Sequence, residues 1–249
     1  MRNLKLILAY DGTDFAGWQV QPEAATIQGS LASAIGRLTG EKVLPQGSGR
    51  TDAGVHALRQ VATFATESSI PTENFLKALN GILPGTIRVL EVTEAPPEFH
   101  ARKSARAKTY CYRIFRSGIC SPFVTRYVWH YPYPLNEEAM QKAASEVVGE
   151  HDFTSFAASD PERGVPEPVS NVRCVYSSKW ERVGDEFLYR IRGNGFLHHM
   201  VRNLVGTFIL VGKETLGAGD VGRILRARDR SAAGATAAAS GLHLMDVEY

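Results

Sequence analysis

Residues 47–56 read Gly-Ser-Gly-Arg-Thr-Asp-Ala-Gly-Val-His, and no other stretch of the chain concentrates as much potential chemistry. Gly47, Gly49 and Gly54 permit backbone turns that other residues resist. They predict a tight loop between two strand-like runs, with the Asp52 carboxylate presented where catalytic groups are commonly held. Taken alone, a Thr-Asp pair reads as a turn in which the aspartate caps its own backbone. Its company argues for more. Arg50 lies two residues away, and Arg202 falls off the apolar stripe Leu197, Val201, Leu204, Phe208 and Val211 of a helix expected over 196–211. A guanidinium beside Asp52 would keep that carboxylate ionised and oriented. In isolation, Arg202 reads as an ordinary solvated helix residue.

A further set of candidates lies on a strand expected over 104–116. A period of two puts Arg106, Lys108, Tyr110 and Tyr112 on one face, and Ala105, Ala107, Thr109 and Cys111 on the other. The small residues are expected under helices, leaving the cationic and phenolic face outward as a platform for stacking bases. Ordinary cross-strand aromatic packing is the competing reading. The surroundings favour the platform. Between Glu98 and Glu137 there is no acidic residue, while seven cations alternate with aromatic side chains such as Tyr110, Phe123 and Trp129. A second carboxylate-free window over 187–213 holds Arg190, Arg192, His198, His199 and Arg202. Cations beside π-faces suit phosphates beside bases, and Arg223, Arg226 and Arg230, at helical spacing, extend that inventory. The net charge of +2 is too small to carry the nucleic-acid reading, which rests on the distribution. Arginine outnumbers lysine 20 to 8, which favours planar phosphate contacts or reflects base composition or thermal adaptation.

Other chemistries find less support. His198 and His199 diverge by about a hundred degrees on a helix and lack a His-Glu-x-x-His frame, so no metal site is expected. The Gly47-x-Gly49 loop has no Gly-Lys-Ser/Thr and no surrounding dinucleotide-binding βαβ unit. No Ser-His-Asp set can be picked out, and Cys111 reads as a small packed strand residue.

The elements that must position these groups form two similar series. In the first half, strands are expected over 4–10, 43–46, 58–66 and 86–93, with helices from Thr26 to before Gly40 and over 72–83. In the second, the 104–116 strand is followed by a helix capped by Asn136 and a hairpin about Gly184-Asp185. The 196–211 helix, a short helix capped by Asp220 and a closing strand over 242–247 complete it. Each half thus reads β-α-β-β-α-β, the second with one added helix. The expected class is α+β with ferredoxin-like or RNA-recognition-like halves, mainly antiparallel sheets, helices on one face and a basic cleft on the other. The expected boundary separates 1–100, carrying the Asp52 loop, from 101–249, carrying Tyr110 and Arg202. Residues 157–169 read as a surface loop, and 231–240 as a closely packed connection.

With 249 residues, 44% of them hydrophobic, the chain can bury a sizeable core. Its longest uncharged apolar run, 204–212, is about half of what a spanning helix needs, and Asp11 interrupts the first apolar run too early for a secretory signal. No membrane partner is expected. Three cysteines without a paired spacing suit a reducing, cytoplasmic compartment.

Three motifs together resemble, in order and spacing, those of the TruA family of tRNA pseudouridine synthases: the 47–56 loop, Lys108-Thr-Tyr-Cys-Tyr112 and Gly195-Phe-Leu-His-His-Met-Val-Arg-Asn203. Tyr10-Asp-Gly-Thr-Asp-Phe-Ala-Gly-Trp-Gln19, His151-Asp-Phe-Thr-Ser-Phe156 and Gly241-Leu242 add support, so the resemblance spans nearly the whole chain. It implies isomerisation of uridines at positions 38, 39 and 40 of the tRNA anticodon stem-loop, by a homodimer that uses neither metal nor organic cofactor. It further implies that Asp52 is the essential aspartate, acting as nucleophile or as base at the ribose. Tyr110 would stack on an extruded uracil, Arg202 would pair with Asp52, and Arg50 would guide the base or fill its place. A non-catalytic RNA-binding or chaperone module on the same fold is the alternative, and a metal-dependent nuclease using the histidines is a third reading.

Overall fold

The computed structural model describes residues 1–158 and 170–249, so the loop expected over 157–169 lies, from position 159, outside the described residues. The chain divides into two compact units, one made of residues 1–106 with 243–249 and the other of 107–242. Its elements are β1 (Arg2–Tyr10), α1 (Ile27–Thr39), β2 (Gln46–Gly47), β3 (His56–Thr66), α2 (Thr72–Ile82), β4 (Ile87–Ala95) and β5 (Ala107–Phe115). There follow β6 (Trp129–His130), α3 (Glu137–Ser145), β7 (Gly149–Asp152), β8 (Val172–Val183), β9 (Glu186–Gly193), α4 (Met200–Gly212), α5 (Asp220–Ala227) and β10 (Leu242–Glu248). The mixed α+β class and the mainly antiparallel pairing agree with the alternation read from the sequence.

In the first unit the strands run β4-β1-β3-β10, with β2 also paired to β3. Leu4 lies opposite Phe64 and Leu6 opposite Ala62, so these side chains share one face, and the Phe64 ring sits 5.9 Å from Phe75 of α2. That face is the helix-covered core. Leu4, Leu6 and Leu8 are fully buried there, each contributing roughly 1.5–3 kcal/mol by leaving water. Thr26 caps α1 by accepting the Gly29 N–H at 3.2 Å, and the helix stops at Gly40, whose φ of 76° suits a residue without Cβ.

In the second unit the order is β5-β9-β8-β7, with β6 parallel to β5. Asn136 caps α3 through the Ala139 N–H at 3.0 Å, with Glu137 and Glu138 in the first turn, where the helix dipole favours negative charge. The β8–β9 hairpin reverses at Gly184, φ 56°. Trp180 and Tyr189, opposite each other in the hairpin, both meet Phe208 of α4 edge-on. The 231–240 segment is indeed tightly packed: a Cβ on Gly206 of α4 would lie 1.7 Å from the Ala235 carbonyl oxygen.

Five features differ from the sequence reading, one being that the strand expected over 43–46 shrinks to the two residues of β2. The closing strand β10, read with the second half, pairs in parallel with β3, placing His243 opposite His56. Apolar alternation identifies a strand but not its neighbours. The two-residue β6 and four-residue β7 were not expected, being too short to show a period. The helix α4 begins at Met200, not 196, because His199 takes a left-handed conformation, φ 58°, that helical geometry excludes. Asp220 is the first residue of α5 and not its cap. Its carboxylate accepts the Gly217 N–H at 2.8 Å, which holds it below the usual carboxylate range.

Candidate active site

The Asp52 loop belongs to the first unit and is built from below by the end of β1 and the residues after it. Gly12, Gly17 and Gly47 permit the approach: a Cβ on Gly12 would stand 2.0 Å from the Val55 carbonyl oxygen, one on Gly17 2.6 Å from that of Thr51, and one on Gly47 2.6 Å from the Trp18 indole. The loop backbone is then tied at several points. Trp18 donates its backbone N–H to the Thr51 carbonyl at 3.0 Å, Gly54 donates to the Phe15 carbonyl at 3.3 Å, and Val55 closes the turn onto the Asp52 carbonyl at 3.1 Å.

Beneath the loop lies a buried polar network that sequence reasoning passed over. Gln60 of β3 accepts the Ser48 hydroxyl at 2.6 Å and donates to the Gly49 carbonyl at 2.9 Å and to the Tyr10 hydroxyl at 3.4 Å. The Tyr10 and Thr51 hydroxyls are 2.9 Å apart. Gln60 and Ser48 are completely buried, so each bond replaces water that cannot reach it. Burial pushes the Tyr10 phenol up to about 12, against the opposing effect of its bonds to Thr51 and Gln60. Gln60 shares its strand with His56, Arg59, Thr63 and Thr66, so nothing in the sequence singled it out. The outcome is a loop fixed on both sides of Arg50, with Arg50 exposed and Asp52 half-buried.

Tyr110 and Arg202 belong to the second unit, and here the sequence reading needs correction. Tyr110 lies opposite Ile191, and Tyr112 opposite Tyr189, which meets Phe208 of α4. The tyrosine face is therefore the helix-covered one, and the outward platform expected of it is absent. The reason is volume: aromatic rings bury far more apolar surface than Ala107 or Thr109 could, so they claim the core side. Tyr112 is wholly buried, donates its hydroxyl to the Ala238 carbonyl at 2.7 Å and meets Trp129 edge-on. Burial pushes its phenol far up, with the Arg202 cation acting in the opposite sense. Tyr110 is 7% exposed, its ring 5.1 Å from Phe196 in an edge-on contact.

The opposite face carries Thr109, Cys111 and Arg113 beside Arg190 and Arg192. Cys111 is packed as expected, its thiol raised by burial against the influence of Arg190 and Arg113. Arg113 grips Glu186 with two bonds of 2.7 and 2.6 Å, and Arg192 lies 4.9 Å over the Tyr176 ring. Arg202, half-buried on the first turn of α4, donates Nε–H to the Ala237 carbonyl at 2.9 Å. Thus it is anchored and not simply solvated.

Among the expected RNA contacts, Arg106 precedes β5 and is exposed, its N–H bonded to the Glu248 carbonyl at 2.8 Å, while Lys108 is half-buried. Arg223 and Arg226 are exposed on α5, with Arg223 3.0 Å from Asp220. All three cysteines are free thiols.

Asp52 thus sits on a loop over a buried polar base, in one of two α+β units. The family model described as tRNA pseudouridine synthase matches residues 6–102 and 143–249, and the chain belongs to that family. Relatives that cover the chain end to end are similarly named. It is 51% identical over 249 residues, 100% of both chains, to the "tRNA pseudouridine synthase A" of Solibacter usitatus. It is 45% identical, again over 100% of both, to that of Brevibacillus brevis, and 46% identical over 99% of both to that of Moorella thermoacetica.

Proposed function

We propose that this protein isomerises uridine to pseudouridine at positions 38, 39 and 40 in the anticodon stem-loop of tRNA, with Asp52 as the reacting carboxylate. The observation that carries the reading is the Asp52 loop itself, anchored by Tyr10, Ser48, Thr51 and Gln60 in a member of the tRNA pseudouridine synthase family. A group that must meet a nucleoside within a fraction of an ångström gains from such anchoring.

The reaction breaks the bond from N1 to the ribose C1′ and makes one from C5 to C1′, with the C5 proton released to solvent and one proton taken up at N1. No electrons are exchanged and no group is lost, so the chemistry calls for no redox or nucleotide cofactor. Asp52 attacks the nucleoside as nucleophile or removes a proton from the ribose as base. Because the reacting atoms are shielded in a paired stem, the uridine is swung out of its stack and the cost offset by contacts in the site. Tyr110, 7% exposed and edge-on to Phe196, meets the extruded base with the part of its ring left open and not as an outward platform; Arg202 pairs with Asp52 and keeps it ionised, and Arg50 guides the base or takes its place. The labour divides between an N-terminal half, 1–100, that supplies the carboxylate and a C-terminal half, 101–249, that supplies Tyr110 and Arg202.

Arg106, Lys108, Arg223 and Arg226 hold phosphates, so binding weakens steeply with salt. The protein works as a homodimer in the cytoplasm, where its free thiols remain reduced. Among the described residues no helix is long and apolar enough to cross a membrane.

The test is tritium release from tRNA labelled at C5 of uridine. The wild type is expected to release it, and Asp52→Asn to lose release while binding tRNA with little change. An Asp52→Asn variant with undiminished turnover would remove Asp52 from the reaction, and a wild type that binds tRNA and releases nothing would return the protein to the class of RNA-binding modules.

A further inference from the structure

The sequence groups Arg230 with Arg223 and Arg226 as a phosphate contact, but its guanidinium turns inward. Nη1 donates to the carbonyls of Ala233 and Gly234 at 3.4 and 3.0 Å, and Nη2 to Asn203 Oδ1 at 3.1 Å and Thr236 Oγ1 at 3.4 Å. Asn203, completely buried on α4, also accepts the Thr236 hydroxyl at 2.7 Å and donates to the Phe156 carbonyl at 2.7 Å. One turn on, Thr207 donates its hydroxyl to the Asn203 carbonyl at 2.8 Å and accepts the Gly234 N–H at 2.9 Å. Residues 233–237 are thereby pressed as a strap onto the first half of α4, with Gly206 and Gly234 crossing too closely for any side chain. The strap ends on Arg202. Ala237 accepts the Arg202 Nε–H at 2.9 Å and donates its own N–H to the Arg202 carbonyl at 3.2 Å.

We propose that Arg230 is a positioning residue for Arg202: its fork folds the strap through Asn203 and Thr236, and the strap fixes the plane of the Arg202 guanidinium at Nε. The inference rests on the role assigned above to Arg202. Lysine cannot substitute, because a single ammonium does not reproduce a planar fork with two donor groups on two separate sets of acceptors. The device has a reason: a guanidinium meant to orient a carboxylate must itself be oriented, and a bond at Nε removes the rotation that a long side chain otherwise keeps.

The experiment measures kcat and KM for tritium release from tRNA, together with thermal unfolding, in the wild type, Arg230→Lys, Thr236→Val and Arg202→Ala, with Arg230→Lys also placed in the Arg202→Ala background. Arg230→Lys is expected to lower kcat by about 10- to 100-fold, the scale of a misplaced reacting group, with KM for tRNA unchanged. Thr236→Val changes kcat in the same direction by a smaller factor. In the Arg202→Ala background Arg230→Lys causes no further loss, the signature of action through Arg202. A folded Arg230→Lys with wild-type kcat, a rise in KM at constant kcat, or losses that multiply in the double variant would each overturn the proposal. Should Arg230→Lys fail to fold, Thr236→Val decides alone, with a lowered kcat at constant KM supporting the proposal and wild-type turnover overturning it. A wild type that releases no tritium sinks the proposed function itself, and Arg202→Ala with full turnover sinks the role of Arg202 and this proposal with it. Neither resembles a loss confined to the Arg230 and Thr236 variants.

Discussion

Replacing Gln60 by leucine tests how the Asp52 loop is held. The side chain keeps its approximate volume and its place in β3, but the Ser48 hydroxyl and the Gly49 carbonyl each lose a bond they now make, at 2.6 and 2.9 Å. Gln60 is fully buried, so its partners lose bonds in the interior of the unit. An unmade buried hydrogen bond costs about 1–3 kcal/mol, so two give roughly 2–6 kcal/mol. Against a typical total of about 5–15 kcal/mol the variant stays folded at 25 °C. For a chain of this size Tm falls by roughly 4–24 °C.

The functional loss should exceed the loss of folded protein. Ser48, Gly49 and Thr51 flank Arg50 and precede Asp52, and freeing them lets the carboxylate wander. A misplacement near 1 Å costs on the order of a hundredfold in turnover. The assay pairs urea unfolding with single-turnover tritium release at 25 °C, where the variant is folded. Wild-type turnover in a folded Gln60→Leu protein would refute the claim that this network positions Asp52, and an unchanged urea midpoint would refute the energetic reasoning.

The remaining predictions concern the same unit. Burial raises the Tyr10 phenol to about 12 from 10.0, so the neutral form is favoured in the fold. Its contribution, about 3 kcal/mol, is present in full below pH 10 and is lost as the pH climbs from 10 through 12. Because Tyr112, Tyr189 and Tyr249 are also raised, the quantity to read is the difference between wild type and Tyr10→Phe in denaturation across that window; parallel curves would contradict the assignment. Gly12→Ala forces a methyl group to within 2.0 Å of the Val55 carbonyl, and a loss of about 1–3 kcal/mol in thermal unfolding is expected, with an unchanged Tm counting against so close an approach.

Local chemistry was the most legible part of the chain. Thr26, Gly40, Asn136 and Gly184 each announce a cap or turn through a requirement met within a few residues, and each stands where the spacing placed it. Whatever depends on partners far along the chain was harder to read. A strict alternation places Tyr110 and Tyr112 together but does not say which side α4 will cover, and the expectation chose the wrong side. Charge was similarly ambiguous in Arg230, whose spacing matches Arg223 and Arg226 but whose guanidinium is turned inward onto Asn203. Of the candidate site, the Asp52 loop could be found from its glycines. Its support could not, because Tyr10, Ser48 and Gln60 are far apart in sequence and none is unusual alone.

The parallel pairing of β10 with β3 also orders events at the ribosome. Before the first unit can receive the strand that carries His243 beside His56, all of residues 107–242 must be made. At a typical elongation rate of about 5–20 residues per second, that is a wait of roughly 7–27 s. Throughout it, the nascent chain holds the Asp52 turn next to the His56–Ala57 end of β3, which lacks its β10 partner while β2 already covers Ala62 and Thr63. Maturation of the carboxylate's surroundings is thus deferred until the other unit has emerged.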